Sequence, residues 1–447
     1  MPLGTFLSRS KAVLNGPVAA GSIIGLVLRL AGLALMFVQA VIAARLLGAE
    51  QYGVVTLLLA IAQIAAAVAL MGYGPFATAE IARGMKLNQF SIRKSFLKHA
   101  ITRIMAVSVL VLPGAYVAGR YLLGELNWQL TMPLLVTIPI LAAIQLFRGM
   151  ALGLGRPFWG VAPGEVIRPA LLVIALIIAA LFAQVSSAIF IGLYMVTAVI
   201  ALAVAFPSVR RPEIASQESD GAETAAPQQW DRAALPFLGI HLASILQLEL
   251  ATLMLALLAS PEAVGLFQPI ARISMLLMLP LYALSVAFNP KISALYAEGE
   301  TTRIEYLARK HTLAATLAIA LGGLAIGLGA PLLLWLFGDE FIQAAPLVWF
   351  LVAGRIIQAA CGPGAELLAM TKNTGKAFQC LGLGIIVEAG FAAALIPIYG
   401  MTGAAVAVAL GLTARSVGLL VMTITVLDIN PSYLPVPPRR RDQAKQT

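Results

Sequence analysis

The chain has little charge and almost no cysteine. Of its 447 residues only 11% are charged, and the two cysteines lack both the number of a disulfide framework and the spacing of a metal site. The sequence also shows no P-loop and no metal-binding cluster. The predicted outer loops are too short to hold a catalytic acid or base. These absences disfavour an enzyme, including a membrane-embedded glycosyltransferase, and imply no cofactor.

Apolar residues are abundant instead. They form 60% of the chain, and the mean hydropathy is +0.92. Because about 20 apolar residues in a helix cross the hydrocarbon core of a bilayer, the long apolar runs predict an all-α integral membrane protein with twelve transmembrane helices. The predicted spans are 18–44, 53–79, 100–120, 129–149, 163–184, 186–207, 235–258, 263–289, 312–336, 342–366, 377–398 and 402–427.

The distribution of positive charge orients these spans. Of the 30 lysines and arginines, only Arg45 and Arg120 fall in predicted outer loops and four lie within spans. The others lie in predicted inner loops and tails, which is the positive-inside pattern of a protein with both termini in the cytoplasm. Scattered inner loops also account for the formal net charge of +10 without a nucleic-acid partner.

The two halves of the chain resemble each other. AEQYG at 49–53 corresponds to PEAVG at 261–265, and 75–84 matches 290–299 at a proline, two alanines and a glycine. Repeats of six spans have the same orientation, so a pseudo-twofold axis along the membrane normal should relate two six-helix lobes. The predicted organisation is an N-terminal lobe at 1–209, a cytoplasmic linker at 210–233, a C-terminal lobe at 234–428 and a basic cytoplasmic tail at 429–447.

Four arginines lie deep in the predicted spans: Arg29, Arg272, Arg355 and Arg415. A charge in mid-bilayer costs about 3 kcal/mol on insertion scales and normally faces a wet or protein-lined interior. Gln39 lies on the helix face of Arg29, and His241 takes the place of Arg29 in the second repeat. We therefore predict that these six polar residues bind an anionic group of a substrate.

Only two acidic residues, Glu249 and Glu388, lie comparably deep, and none is expected deep in the N-terminal half. Each could neutralise an arginine in a buried pair. Each could equally hold a proton or sodium ion in a coupled transporter. The sequence leaves both roles open, but two carboxylates cannot neutralise four arginines.

Particular motifs resemble a known family. The pattern Arg29…Arg45-Leu-Leu-Gly-Ala-Glu-Gln-Tyr-Gly53 is followed by Pro75…Arg83-Gly84, and Tyr399-Gly-Met-Thr-Gly-Ala-Ala405 follows near the end. Together they resemble the polysaccharide transporter and O-antigen flippase branch of the multidrug/oligosaccharidyl-lipid/polysaccharide (MOP) exporter superfamily. The resemblance covers about residues 15–428 and implies a MATE-like fold.

The resemblance also implies a function. Such proteins are flippases of the bacterial cytoplasmic membrane that carry undecaprenyl-pyrophosphate-linked oligosaccharides to the outer leaflet for surface or exopolysaccharide export. Membrane lipids, a polysaccharide polymerase and the export machinery would be partners, and H⁺, Na⁺ or the membrane potential would supply the energy. Arg29 and Arg272 resemble the cationic cavity of the related lipid-II flippases, which usually have fourteen spans.

Two other functions stay open on the sequence. A cation-coupled multidrug antiporter of the same superfamily would favour an acidic or aromatic cavity, whereas arginines outnumber acids here. A non-transporting scaffold for envelope assembly would have little use for deep arginines on glycine-lined helix faces.

Overall fold

The computed structural model describes residues 17–87, 91–124, 128–210 and 227–433. Helices contain nearly all of these residues, and none of them lies in a β-strand. The helices are α1 (Pro17–Leu70), α2 (Tyr73–Lys86), α3 (Ser91–Leu123), α4 (Trp128–Gly153), α5 (Pro157–Ala162), α6 (Arg168–Phe182), α7 (Ser187–Arg210), α8 (Pro227–Leu258), α9 (Pro261–Leu276), α10 (Leu279–Ala297), α11 (Thr301–Trp335), α12 (Val348–Ala360), α13 (Gly364–Met370), α14 (Thr374–Tyr399) and α15 (Met401–Leu427).

Eleven helical segments of the described chain are long and apolar enough to cross a membrane. The first helix, α1, has 54 residues, about 80 Å at 1.5 Å per residue and far more than a hydrocarbon core of about 30 Å. Gly48 interrupts it with φ 73° and ψ 170°, a conformation that glycine adopts readily. Because Gly48 divides α1 into two membrane-length segments, the eleven segments correspond to twelve predicted spans.

Three predicted spans contain local irregularities. The span predicted at 263–289 breaks at Leu277 and Met278, immediately before α10, whose Pro280 has no backbone N–H to donate. A π-helical turn at Pro163–Ile167 joins α5 to α6, and a 3₁₀ helix at Asp339–Leu347 precedes α12. Pro269, in contrast, lies inside α9 without ending it.

The structure corrects two predicted boundaries. Because α8 begins at Pro227, the end of the predicted linker 210–233 is helical, and 211–226 lie outside the described residues. The predicted tail begins too early, since Ile429 is buried and the carbonyls of Asn430 and Pro431 accept hydrogen bonds from α11. Only 434–447 of that tail lie outside the described residues.

The corresponding segments of the internal repeat meet each other. A Cβ at Gly53 would overlap the Pro261 carbonyl and the Gly265 amide, and a Cβ at Gly265 would overlap the Ala49 carbonyl and the Gly53 amide. Each repeat therefore contacts its counterpart reciprocally, as residues around a twofold axis do. Glycine at both positions permits the close backbone approach.

Further contacts join the two halves at the same, predicted outer, end. Arg45 donates from Nε to the Leu336 carbonyl at 2.5 Å and from Nη2 to the Trp335 carbonyl at 2.9 Å. The Ala49 amide donates to Oε1 of Glu340 at 2.8 Å. These hydrogen bonds tie the outer end of the first span to the turn that follows α11.

Candidate functional site

Three of the four predicted arginines converge on Tyr282 of α10. The guanidinium of Arg29 lies 5.9 Å from the centroid of the Tyr282 ring. Arg355 and Arg415 each lie close enough to Tyr282, and to one another, to interact electrostatically. We call these four residues the Tyr282 cluster. Arg29 belongs to the N-terminal half and the other three to the C-terminal half, so the cluster lies where the halves face each other.

Amide side chains hold two arginines of this cluster. Arg355 Nη1 donates to Gln358 Oε1 at 2.9 Å and also lies 3.3 Å from the Met278 sulfur. Arg415 Nη1 donates to Gln247 Oε1 at 2.7 Å. None of the ion pairs formed within the described part of the chain includes an arginine of the Tyr282 cluster. The cluster therefore holds positive charge without a direct ion pair in the described chain, although Glu366 lies close enough to Arg415 to interact electrostatically.

Glu388 of α14 lies near this charge. It is only 1% exposed, and it interacts electrostatically with Arg355. Its Oε1 has no hydrogen-bond partner within the described chain. A Cβ at Gly411 would lie 2.6 Å from the Glu388 Cβ, so glycine lets α15 pack closely against α14 here.

Buried donors without a partner also surround the cluster. Among the described residues, Arg355 Nε and Gln247 Nε2 make no hydrogen bond. Leaving such a group unsatisfied costs roughly 1–3 kcal/mol, so buried polar groups normally bond to protein, water or a ligand. This concentration of unused donors is the arrangement that an anionic group would complete.

Arg272 does not belong to the Tyr282 cluster. The sequence pattern alone does not distinguish it from the other three arginines. Tyr52 and Glu249 both lie close enough to Arg272 to interact with it electrostatically. Gln63 Nε2 donates to Glu249 Oε1 at 3.4 Å. Arg272 therefore belongs to a second polar group with Tyr52 and Glu249, apart from the Tyr282 cluster.

The structure places the remaining predicted residues on the inward helices without bringing them to Tyr282. Gln39 is partly buried on α1, and His241 is partly buried on α8. Arg148 lies close enough to His241 to interact with it electrostatically.

One expectation about the N-terminal half is wrong. Glu165 was expected at the end of a span, but the helical segment begins at Pro157, about two turns earlier. A Cβ at Gly32 would lie 2.8 Å from the Glu165 carbonyl oxygen, so Glu165 packs about one turn from Arg29. This acid does not supply a free negative charge, because Arg148 Nη1 pairs with its Oε1 at 2.6 Å.

The sequence matches a known family. Residues 18–295, more than half of the chain, match the model of the polysaccharide biosynthesis protein family. The chain belongs to this family. No curated protein sequence gives a significant match.

Solved structures show the fold of this chain. An inward-facing multidrug resistance MATE family transporter of the MOP superfamily matches at 17% identity and a TM-score of 0.68, over 91% of this chain and 99% of that one. The lipid II flippase MurJ in an inward closed conformation matches at 11% identity and a TM-score of 0.68, over 90% and 87%.

A third match is a MOP superfamily transporter from Pyrococcus furiosus Vc1 (DSM3638), whose binding pocket is described as having reverse polarity. It is 18% identical with a TM-score of 0.64, over 93% of this chain and 98% of that one. The family and these matches confirm the predicted all-α, MATE-like fold. The fold is therefore one that MATE family transporters and the lipid II flippase MurJ share.

Nothing in the sequence pattern singles out Tyr282 or Gln247. Tyr282 stands shortly after the break at Leu277, so the direction of its side chain depends on where α10 begins. Gln247 is one of several polar residues of α8, and its contact with Arg415 joins helices far apart in the chain. Gln358, in contrast, is expected beside Arg355, since residues three apart share a helix face.

Proposed function

We propose that the chain is a flippase that moves a polyprenyl-pyrophosphate-linked oligosaccharide from the cytoplasmic to the outer leaflet, for surface or exopolysaccharide export. The observation that supports this function is the Tyr282 cluster, where three arginines from both halves converge without an ion pair among the described residues. A guanidinium offers a planar, always charged fork that binds phosphate oxygens in pairs.

The position of the cluster suits loading from the cytoplasm. Arg415 lies about 20 Å along α15 from the predicted outer end of that helix, at 1.5 Å per residue. The contacts of Gly53, Gly265 and Arg45 join the halves at the predicted outer end. A headgroup bound at Tyr282 would therefore enter from the predicted cytoplasmic side.

Alternating access lowers the barrier to flipping. A pyrophosphate and its sugars cannot cross about 30 Å of hydrocarbon unaided, because each buried charge or unpaired polar group is costly. A polar cleft between the halves solvates the headgroup, while the polyprenyl tail stays in the lipid. Rocking of the halves about the cluster then exposes the headgroup to the other side.

Energy would come from the membrane potential or from a coupled ion. The potential favours outward movement of negative charge by about 2.3 kcal/mol per charge per 100 mV. A proton or Na⁺ would bind at a carboxylate, and Glu388 fits this role better than Glu249 because its Oε1 has no partner within the described chain, whereas Gln63 contacts Glu249. The protein would lie in the bacterial cytoplasmic membrane with both termini inside, beside a polymerase and the export machinery.

A cation-coupled multidrug antiporter is the second candidate, because the fold also matches a MATE family multidrug transporter. Three arginines without paired carboxylates would repel the cationic amphiphiles that such antiporters export. An envelope-assembly scaffold is the third, and it would need no charge at the Tyr282 cluster. The three candidates differ in what they require of Arg29.

The test measures export of the surface polysaccharide in a deletion strain complemented with wild type, Arg29→Ala or Arg29→Lys. We expect Arg29→Ala to abolish export and to leave lipid-linked precursor in the inner leaflet, because one guanidinium of the headgroup site is lost. Arg29→Lys should export partially, since the charge remains without the planar fork.

Arg120→Ala is the matched control, because this exposed arginine lies in a predicted outer loop. It should export like wild type at equal membrane levels. Full export by a normally inserted Arg29→Ala protein would rule out the cationic site and favour the antiporter or the scaffold.

A further inference from the structure

The arginines of this chain have two kinds of partner. Several arginines away from the Tyr282 cluster pair with carboxylates, as in Arg103 with Asp231 at 2.8 Å, Arg148 with Glu165 at 2.6 Å and Arg309 with Glu305 at 2.7 Å. Within the cluster, the amide oxygens of Gln358 and Gln247 accept from Arg355 and Arg415 at 2.9 and 2.7 Å. The distances are alike, so the partners differ in charge and not in geometry.

This difference has an electrostatic consequence. A carboxylate partner fixes the direction of a guanidinium and cancels its charge at the same time, most strongly where the surroundings exclude water. An amide oxygen accepts the same N–H bond but carries no net charge. An arginine held by an amide is therefore oriented and still free to attract an anion.

The side-chain amide of Gln247 has a second polar atom that is available for a hydrogen bond. Its Oε1 accepts from Arg415, so the side chain bridges α8 and α15. Its Nε2 is buried and has no hydrogen-bond partner within the described chain. Gly384 lies beside this nitrogen and beside the Arg415 Cβ, since a Cβ there would be 3.2 and 2.9 Å from the two atoms. The lack of a side chain at 384 lets α14 pack closely against Arg415 and Gln247.

Gln358 performs the corresponding task within one helix. It lies one turn from Arg355 on α12, where residues three apart are neighbours. Its Oε1 accepts from Nη1, while Nε of the same guanidinium has no partner among the described residues. Arg355 thus retains an unused, buried donor as well as its charge.

We propose that Gln247 and Gln358 are positioning residues that hold Arg415 and Arg355 by neutral acceptors, so that both guanidinium charges stay available to the pyrophosphate of the lipid-linked substrate. Nε2 of Gln247 donates to the same anion. This inference rests on the proposed function and assigns two residues to the recognition of its headgroup.

The test is a change of charge at nearly constant shape. Gln247→Glu and Gln358→Glu each replace an amide by a carboxylate of the same size, which still accepts from the arginine but cancels its charge. Full-length protein in lipid nanodiscs is titrated with undecaprenyl pyrophosphate, with undecaprenol as the uncharged reference probe. The melting temperature of each protein is measured alongside.

We expect each glutamate variant to bind undecaprenyl pyrophosphate more weakly by on the order of tenfold or more, the loss expected for one charge-assisted hydrogen bond. The melting temperature should stay equal or rise, because an ion pair replaces a neutral hydrogen bond. Gln247→Ala and Gln358→Ala should lose less affinity but more thermal stability. A purely structural glutamine would produce no such opposite changes in affinity and stability.

Gln343→Glu is the matched control, since it makes the same change in charge at an exposed residue of the 3₁₀ helix. It should bind like wild type. If wild type binds undecaprenyl pyrophosphate and both cluster glutamate variants bind it equally well, the inference is wrong and the proposed function stands. If wild type binds undecaprenyl pyrophosphate no better than undecaprenol, the proposed function fails, and the inference fails with it. Should one glutamate variant not reach the membrane, the other carries the test.

Discussion

Glu388 is a buried carboxylate that needs a group to compensate its charge. Its side chain is 1% exposed, its Oε1 has no hydrogen-bond partner within the described chain, and no ion pair there includes it. A buried ionised carboxylate is costly unless a proton, a cation or hydrogen bonds compensate its charge. Glu388 is therefore the candidate site of a coupling ion, and Arg355 is the nearby charge through which the two sites would interact.

Substitution of Glu388 by glutamine separates coupling from packing. Because the amide binds neither a proton nor Na⁺, we expect Glu388→Gln to flip a fluorescent lipid-linked saccharide in proteoliposomes at a rate that no longer depends on an imposed H⁺ or Na⁺ gradient. Glu249→Gln, where the carboxylate already contacts Gln63, should keep the gradient dependence. An unchanged gradient dependence in Glu388→Gln, together with a lower melting temperature, would show instead that Glu388 serves Arg355 structurally.

For single residues, the sequence predicts how deep a side chain lies in the membrane better than it predicts which groups that side chain contacts. Arg29, Arg355 and Arg415 could be chosen because a charge inside an apolar run needs a polar surrounding. Whether each meets an amide or a carboxylate could not be predicted, since Gln247 and Arg415 lie on helices 168 residues apart in sequence. Arg272 has the same sequence pattern as the others, yet Tyr52 and Glu249 give it a different environment.

Among the helices, the start of α8 forms the densest polar contact between the halves outside the Tyr282 cluster. Asp231 accepts hydrogen bonds from Tyr73 and from His99, the latter at 2.7 Å, and pairs with Arg103 at 2.8 Å. Trp230 Nε1 donates to Glu80 at 3.3 Å. These contacts hold α8 of the second half against α2 and α3 of the first at the predicted cytoplasmic end.

Loss of the Asp231 charge should loosen this end of the bundle. Asp231→Asn weakens contacts to three donors, which we expect to cost roughly 1–3 kcal/mol and to favour conformations in which α8 separates from α2. Pulsed EPR between spin labels at Lys86 and Gln229, both exposed, should then show a larger population of long distances.

Glu305→Gln provides the control, because it removes a carboxylate that pairs with Arg309 within one helix at 2.7 Å. It should leave the distance distribution unchanged. If Asp231→Asn also leaves it unchanged, the start of α8 belongs to a rigid contact that does not open.

The sequence predicts the membrane spans closely, but it predicts the residues at which the helices begin and end less well. Long apolar runs predict each span because the bilayer fixes the length. Polar residues around Trp230 looked like a linker, whereas contacts with distant helices make them the first turns of α8. The similarity of 49–53 to 261–265 did indicate a place where counterparts meet, although sequence alone could not show that Gly53 and Gly265 touch.

At the scale of the whole molecule, the orientation of the protein in the membrane decides from which side the Tyr282 cluster takes up its substrate. The cluster lies near the middle of the spans, since Arg415 stands close to the midpoint of Met401–Leu427, and Gly53, Gly265 and Arg45 join the halves at the predicted outer end. If the positive-inside pattern gives the correct orientation, the cluster is loaded from the cytoplasm and the direction of transport is outward. In the opposite orientation the contacts of Gly53, Gly265 and Arg45 would close the cytoplasmic side, and the cluster could not take up a cytoplasmic precursor first.

Labelling of single cysteines in intact cells tests this orientation. Gln51→Cys lies at the predicted outer end and Lys376→Cys at the predicted inner end, and both positions are exposed. The native cysteines Cys361 and Cys380 are buried and should give little background. We expect a membrane-impermeant maleimide to label Gln51→Cys in intact cells and Lys376→Cys only after permeabilisation, because the basic loops stay inside. The reverse pattern would contradict outward flipping from the Tyr282 cluster, since the three arginines would then face the wrong leaflet for an undecaprenyl-pyrophosphate precursor made in the cytoplasm.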